Sequence, residues 1–396
     1  MVGILKEAHT SLKGRSTIRH YAAAILLAVL GASAAMMPNP AGACDAVTTG
    51  VPSKTIKALA RGFNLDGWVA GPRPTAPDTT VLRELHQAGM THIRLPVPAE
   101  RLMHRYTSES DIKAELRAVS LAVRTLLRLG YHVSLDLHPG ERFSRLHRDD
   151  PKASMQSLKE AWGYLAQIMA RFPPTLVLAD LLNEPDIEPA RWQIEADQLA
   201  AFVRQRLPRT TLVVGPTYWQ RADSLPNFNP LPDPNVVYAI HFYDPMVFTH
   251  QGYWDPANPL SSIRGLPFPI RTEDPAVKEI RQQLIAAGKE RALTMLDQAI
   301  AQSKAGDIIK DELQPAVVWQ ERFSRPLIVN EFGVLKGGAP EQSRLRWLSS
   351  VVGFAERHCW GWAHWEYDQG FGLLDAKTGK PDPAVLRALL SPRPGR

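Results

Sequence analysis

Short uninterrupted apolar runs alternate along this chain with longer stretches in which apolar side chains recur every three or four positions. Continuous runs predict strands covered on both faces, as in a parallel sheet, and the longer stretches predict amphipathic helices. Strands are expected at Ala58–Leu65, Thr91–Pro96, His132–Leu137, Leu176–Leu182, Thr211–Val214, Val236–Ile240, Pro326–Asn330 and Gly361–Trp365. Helices are expected at Thr79–Ala88, Asp111–Leu129, Lys152–Arg171, Pro189–Arg206, Pro275–Ala305, Gln342–Arg357 and Pro383–Leu390, the first two closed by Gly89 and Gly130. A fifth helix is poorly marked between Tyr218 and Asp233, and the segments Asp244–Pro269 and Ala305–Arg325 read as long loops. Eight strand–helix units in one α/β domain over 57–396 suit a (β/α)8 TIM barrel. Neither an internal repeat nor a second-domain linker is visible.

The first residues break this rhythm. Lys6, Lys13, Arg15 and Arg19 form a basic stretch, Tyr21 to Met37 is uncharged and rich in Ala and Leu, and Ala41-Gly42-Ala43 fits a small-x-small cleavage site. Residues 1–43 therefore read as a signal peptide cut before Cys44, and 44–56 as a linker. The protein is expected to be exported, periplasmic or extracellular. An uncleaved anchor and a lipidated Cys44 are the weaker alternatives, since the apolar run is short for a membrane span and Ala41 is a poor lipobox residue.

Hydrophobic residues make up 44% of the 396 positions and charged residues 22%, a globular composition. The net charge of +6 comes half from the leader, and no basic cluster interleaves with aromatics, so no nucleic-acid partner is expected. No obligate protein partner is implied either. The two cysteines are Cys44 and Cys359. In a closed barrel the first and last units are neighbours, so a disulfide between them is one hypothesis for an exported protein, and two unpaired thiols the other. Twelve histidines invite a metal, but no His-Glu-x-x-His and no tight His/Cys cluster occurs. No metal and no cofactor are expected, with a metal-dependent barrel hydrolase as an alternative. Gly-rich phosphate loops and Gly-x-Ser-x-Gly elbows are absent from the sequence.

Polar residues recur where the strands end: Arg94, His138, Asn183 with Glu184, His241 with Tyr243, Glu331, and Trp365. Strand ends of a barrel meet at one rim, so these side chains should converge on one cleft. Glu184 and Glu331 each close an apolar run. Two carboxyls at one rim can cleave a glycosidic bond without metal or cofactor.

These segments resemble glycoside hydrolase family 5, in clan A, and most of all its bacterial endoglucanases. The resemblance is carried by Gly62-Phe63-Asn64-Leu65, Ile93-Arg94-Leu95-Pro96, Leu135-Asp136-Leu137-His138, Leu182-Asn183-Glu184-Pro185 and His241-Phe242-Tyr243. It continues through Phe248-Thr249-His250-Gln251-Gly252, Asn330-Glu331-Phe332-Gly333 and Gly361-Trp362-Ala363-His364-Trp365. It implies Glu184 as general acid/base, Glu331 as nucleophile, and Asn183 as the partner of the sugar 2-hydroxyl. It implies Arg94 and Tyr243 as groups that hold Glu331, His138 and His241 as sugar-binding and supporting residues, and Trp365 as the floor under the reacting sugar. The implied activity is retaining, endo-acting cleavage of β-1,4-glucans by double displacement. A β-mannanase or other β-glucanase, one that processes an exopolysaccharide included, and a barrel that binds polysaccharide without turnover are the alternatives. Trp68, Trp219 and Trp254 read either as platforms for neighbouring sugars or as loop packing. Glu366 and Asp368 read either as sugar contacts or as structural. Asp136 is expected to point away from His138 and to be structural.

Overall fold

The computed structural model describes residues 50–69 and 75–391. The expected signal peptide and cleavage site, and Cys44, lie outside them. Eight strands close a parallel barrel in sequence order: β1 (Gly62–Asn64), β2 (His92–Pro98), β3 (His132–His138), β4 (Val177–Asp180), β5 (Thr211–Val214), β6 (Val236–Phe242), β7 (Leu327–Phe332) and β8 (Gly361–His364). The expected (β/α)8 fold is the one observed.

Local chemistry explains where the surrounding helices begin. Asp150, Asp274 and Asp382 each cap a helix whose first residue is proline (Pro151, Pro275, Pro383), with the carboxylate accepting a backbone N–H of the first turn. Proline lacks an N–H that would have been unsatisfied there, and its fixed φ suits the first turn. Ser108 caps Glu109–Arg128 in the same way.

Alternation along each strand sorts the core into two layers. In β6, Val236, Tyr238 and Ile240 face the helices, whereas Val237 and Ala239 join Leu178, Val213 and Ile328 inside the barrel. That inner cluster also takes Val51 and Leu59, which flank a short helix at Ser53–Ala58. The end of the expected linker is therefore a plug that closes the barrel floor, and the first strand starts at Gly62 instead of Ala58.

Two further expectations fail. Ile308–Phe323 is a helix, not a loop. Its Pro315 argues against a helix, yet Trp319 anchors it, donating its indole N–H to the Phe228 carbonyl at 2.7 Å. A helix at Glu141–Asp149 was also not expected; Glu100 accepts the N–H groups of Gly140 and Phe143 at its start. Between Tyr218 and Asp233 the weakly marked fifth helix is only a 3-10 turn at Ala222–Asn227 after a kinked turn at Thr217–Gln220. Cys359 is disulfide-bonded. Among the described residues no helix is long and apolar enough to cross a membrane.

Candidate active site

Arg94, wholly buried on β2, organises the barrel mouth. Its Nε donates to Asp180 at 2.8 Å, Nη1 to Glu331 Oε1 at 2.6 Å and to Asn64 at 3.0 Å, and Nη2 to Asn183 at 2.8 Å. The Asp136 carboxylate lies 3.1 Å from Nη2. A guanidinium offers five N–H groups in a fixed fork and stays charged, so it holds several acceptors in one plane at once. The three surrounding carboxylates offset the burial that would otherwise strip its proton, and its pKa rises.

Glu331 reaches this centre because β7 is bulged. Ile240 pairs with Val329, but His241 pairs with Glu331, which makes Asn330 an extra residue in β7. Strict alternation would put Glu331 on the outer face with Leu327 and Val329, which pack against the helices. The inserted residue resets the phase. Asn330 and Glu331 both turn inward, Asn330 donating to Asp180 at 3.1 Å. The Tyr243 hydroxyl donates to Glu331 Oε2 at 3.1 Å. Burial, and then the charge of Glu331, push the phenol pKa well up, so Tyr243 keeps the proton it donates. Just past β7, a Cβ on Gly333 would fall 2.3 Å from the Trp365 carbonyl oxygen. Only glycine lets the ends of β7 and β8 converge this closely.

Glu184 arrives by another route. It follows β4 with φ 45°, a left-handed backbone rare outside glycine. Gln220 Oε1 accepts its N–H at 3.3 Å. Burial pushes its carboxyl from 4.5 to about 7. His241 Nδ1 lies 2.9 Å from Glu184 Oε1 and 3.5 Å from Glu331 Oε2. Burial lowers His241 to about 4, so the ring is neutral and brings no positive charge to draw the proton off Glu184. One oxygen of each carboxyl and one nitrogen of His241 lie within 4.8 Å of one another. One carboxyl is thus protonated near neutral pH, while the other sits between a guanidinium and a phenol.

Asp136 corrects an expectation. It shares a strand face with His138, two residues on, because side chains alternate with a period of two. Its Oδ2 lies 2.7 Å from His138 Nδ1. Burial opposes charge on His138, but Asp136 outweighs it and the pKa rises. The His138 ring stacks on Trp365 with centroids 6.1 Å apart and planes 20° from parallel.

The structure brings Arg94, His138, Asn183, Glu184, His241, Tyr243, Glu331 and Trp365 together. The other aromatics differ. Trp68 is buried in the main core, as loop packing requires. Trp254 is exposed and stacks on Tyr253, which borders the cluster that holds Trp365. Trp219 is half-buried, in the left-handed turn beside Gln220. The Glu366 carboxylate accepts the N–H groups of Asp368, Gln369 and Phe371, which is a structural role, and Asp368 is exposed. Asp180, Asn330 and Gln220 were not anticipated. Asp180 shares the inward phase of Leu178, a signal legible in the alternation.

Comparison with known proteins matches residues 49–370 to the family described as Cellulase (glycosyl hydrolase family 5). Endoglucanase 3 of Fibrobacter succinogenes is 24% identical over 351 residues, 83% of this chain but 52% of that protein. The chain thus spans about half the length of that relative. Endoglucanase C of Acetivibrio thermocellus is 24% identical over 77% of this chain and 90% of its own. In fold, the chain is similar to Thermotoga maritima Cel5A solved with cellobiose (TM-score 0.67, 22% identity, 86% of this chain and 99% of that one). It is also similar to the cellulose synthase subunit Z of Clostridioides difficile (TM-score 0.66, 21% identity, 84% and 99%).

Proposed function

The chain belongs to the cellulase family, glycosyl hydrolase family 5, and from that premise we propose that it is a retaining, endo-acting β-1,4-glucanase. The observation that carries the proposal is the pair of carboxyls with opposed environments: Glu184 raised to about 7, and Glu331 hydrogen-bonded by Arg94 and Tyr243.

In the first step Glu331 attacks the anomeric carbon while Glu184 gives its proton to the glycosidic oxygen, and the leaving chain departs as an alcohol. In the second, Glu184, now a carboxylate, takes a proton from water, whose oxygen attacks the anomeric carbon on the face the leaving chain vacated, opposite Glu331, and releases Glu331 as a carboxylate. Two inversions give net retention. A retaining pair has its carboxyls about 5–5.5 Å apart and an inverting pair about 6.5–9.5 Å, and an approach within 4.8 Å supports the former. Asn183, held by Arg94 and within 3.4 Å of His138, suits the sugar 2-hydroxyl. Trp365 suits the apolar face of the reacting sugar, and Trp219 and Trp254 suit sugars on either side of it. Export through the leader would bring the enzyme to its polymer.

Proton NMR of the first product from a soluble β-glucan tests the assignment. A β-configured new end is expected; an α-configured one would remove Glu331 from the nucleophile role. A product profile across glucan, mannan and xyloglucan separates the proposed substrate from a β-mannanase alternative.

The clustered atoms of Glu184, His241 and Glu331 also give a metal-assisted hydrolase some footing. A cation there would compete with the Tyr243 hydroxyl for Glu331 Oε2, the oxygen 3.5 Å from His241. Full activity after exhaustive chelation would dismiss it.

A further inference from the structure

A cavity of about 600 Å³, open to solvent, lies between the helix start that follows Glu184 and the segment that follows β5, and no role above uses it. Its walls are Glu188 and Gln193 on one side and Tyr218, Asn227 and Asn229 on the other. The second wall is fixed by Phe228, which is buried against Tyr238 and whose carbonyl accepts from Trp319. Its neighbours Asn227 and Asn229 are consequently exposed. Gln193 accepts the Asn229 N–H at 2.8 Å, so the two walls are tied together.

Tyr218 is the unusual member. It is 38% exposed, yet its backbone is left-handed (φ 54°, ψ 61°), and Trp219 and Gln220 follow in the same region. Three consecutive non-glycine residues persist there only where the surroundings over-determine them, and such segments concentrate at functional sites. The surroundings here are the loop of Glu184 itself. Gln220 accepts the Glu184 N–H, and the Thr217 hydroxyl bonds the Pro185 and Ile187 carbonyls. One hydrogen-bonded unit therefore carries both the carboxyl and the Tyr218 ring.

We propose that this cavity is a distal site for the leaving-group end of a β-linked glucan, with the Tyr218 ring as platform and the amides of Gln193, Asn227 and Asn229 as hydroxyl partners. The inference rests on Glu184 being the acid. An acid protonates the oxygen of the departing chain, so that chain leaves along the Glu184 side. Glu188 is four residues further on, at most about 14 Å away along extended backbone. A ring with amide groups is the chemistry that binds a neutral sugar, whose apolar face packs on the ring while its hydroxyls need donors and acceptors.

The test is calorimetric binding on the Glu331→Gln background, with cellohexaose and with 4-nitrophenyl β-cellobioside, whose leaving group is one small ring. Tyr218→Asn removes the platform and keeps a residue that tolerates left-handed backbone. It should weaken cellohexaose roughly tenfold, the equivalent of about 1.4 kcal/mol, and leave the aryl cellobioside unchanged. Tyr218→Phe should retain cellohexaose affinity, and Asn229→Ala, away from the strained turn, should lower it alone. Unchanged cellohexaose affinity in Tyr218→Asn, or equal losses on both ligands, overturns the proposal. Turnover of soluble glucan by the unaltered enzyme is read separately. Its absence would count against the hydrolase assignment, while a Tyr218-dependent preference for the long ligand would still place glucan in the cavity.

Discussion

Glu184→Gln offers a measurement in which stability reports on catalytic competence. The Glu184 carboxyl, pushed up to about 7 by burial, holds its proton in the folded protein across a range where the unfolded chain, at 4.5, has released it. Between those values the folded state binds more protons than the unfolded one, so each rise in pH costs stability. The penalty begins near pH 4.5 and is complete above about pH 7. At about 1.36 kcal/mol per pH unit it amounts to about 3 kcal/mol. Glutamine has nearly the shape of the protonated acid and carries no such penalty. At about 2.1 cal/mol/K of unfolding entropy per residue, the difference is a rise in Tm of roughly 4 °C. Calorimetric scans of both proteins from pH 4 to pH 8 should start parallel and diverge upward for the variant. Asp180 and Glu366, each also raised to about 7 by burial, titrate in both proteins and largely cancel in the difference. Curves parallel over the whole range would mean that Glu184 ionises normally, and a carboxylate already charged at pH 6 has no proton for the glycosidic oxygen. The same group should set the alkaline limb of kcat/KM near pH 7 in the unaltered enzyme. Glu184→Gln should then lose least on aryl glycosides, whose good leaving groups need little acid assistance.

Arg94→Met leaves Asp136, Asp180 and Glu331 without their shared cation, and denaturant titration should show a loss of about 3–5 kcal/mol; a loss below about 1 kcal/mol would mean the network is not held by Arg94. Asp136→Asn removes the main group that raises His138 against burial, so its pKa should drop below 6.5 by NMR titration, whereas an unchanged value would assign the rise elsewhere. Deleting Asn330 removes the extra residue and places Glu331 directly after Val329, where strict alternation also faces it inward opposite His241, so turnover of an aryl glycoside should stay above background while circular dichroism keeps its helical signature; a folded but inactive deletion variant would refute the reading that the extra residue serves to set the phase of Glu331.

Most of the barrel could be read from the chain because its signals are local. Thr211–Val214, Pro189–Arg206 and Pro383–Leu390 coincide with the elements observed, since strand and helix periods and prolines at helix starts act over a few residues. Ile308–Phe323 was missed because an internal proline speaks against a helix locally, while the contact that secures it, Trp319 to Phe228, spans 91 residues. The rim residues were legible as types at strand ends, but what aims them was not. For Asp136 the alternation rule is sufficient, since residues 136 and 138 share a strand face. For Glu331 the rule itself gives the wrong face, and only pairing with β6 reveals the extra residue.

Glu184 and Glu331 therefore both depend on departures from regular backbone. Glu331 is aimed by an added residue in β7, and Glu184 by a left-handed φ that follows β4 and is braced by Gln220. A regular (β/α)8 barrel with the same strand sequences would direct one of them into the helix layer. Backbone irregularity has a conformational cost, which the network around Arg94 helps to offset. Its acceptors come from four strands or their ends: Asn64 on β1, Asp136 on β3, Asp180 and Asn183 on and after β4, and Glu331 on β7, all gathered by the guanidinium on β2. The fork that orients Glu331 is thus also the tie that holds the barrel mouth to the bulged geometry. Losses of activity and of stability at Arg94 should consequently not be separable, whereas at Glu184, which lies outside the fork, they should move in opposite directions.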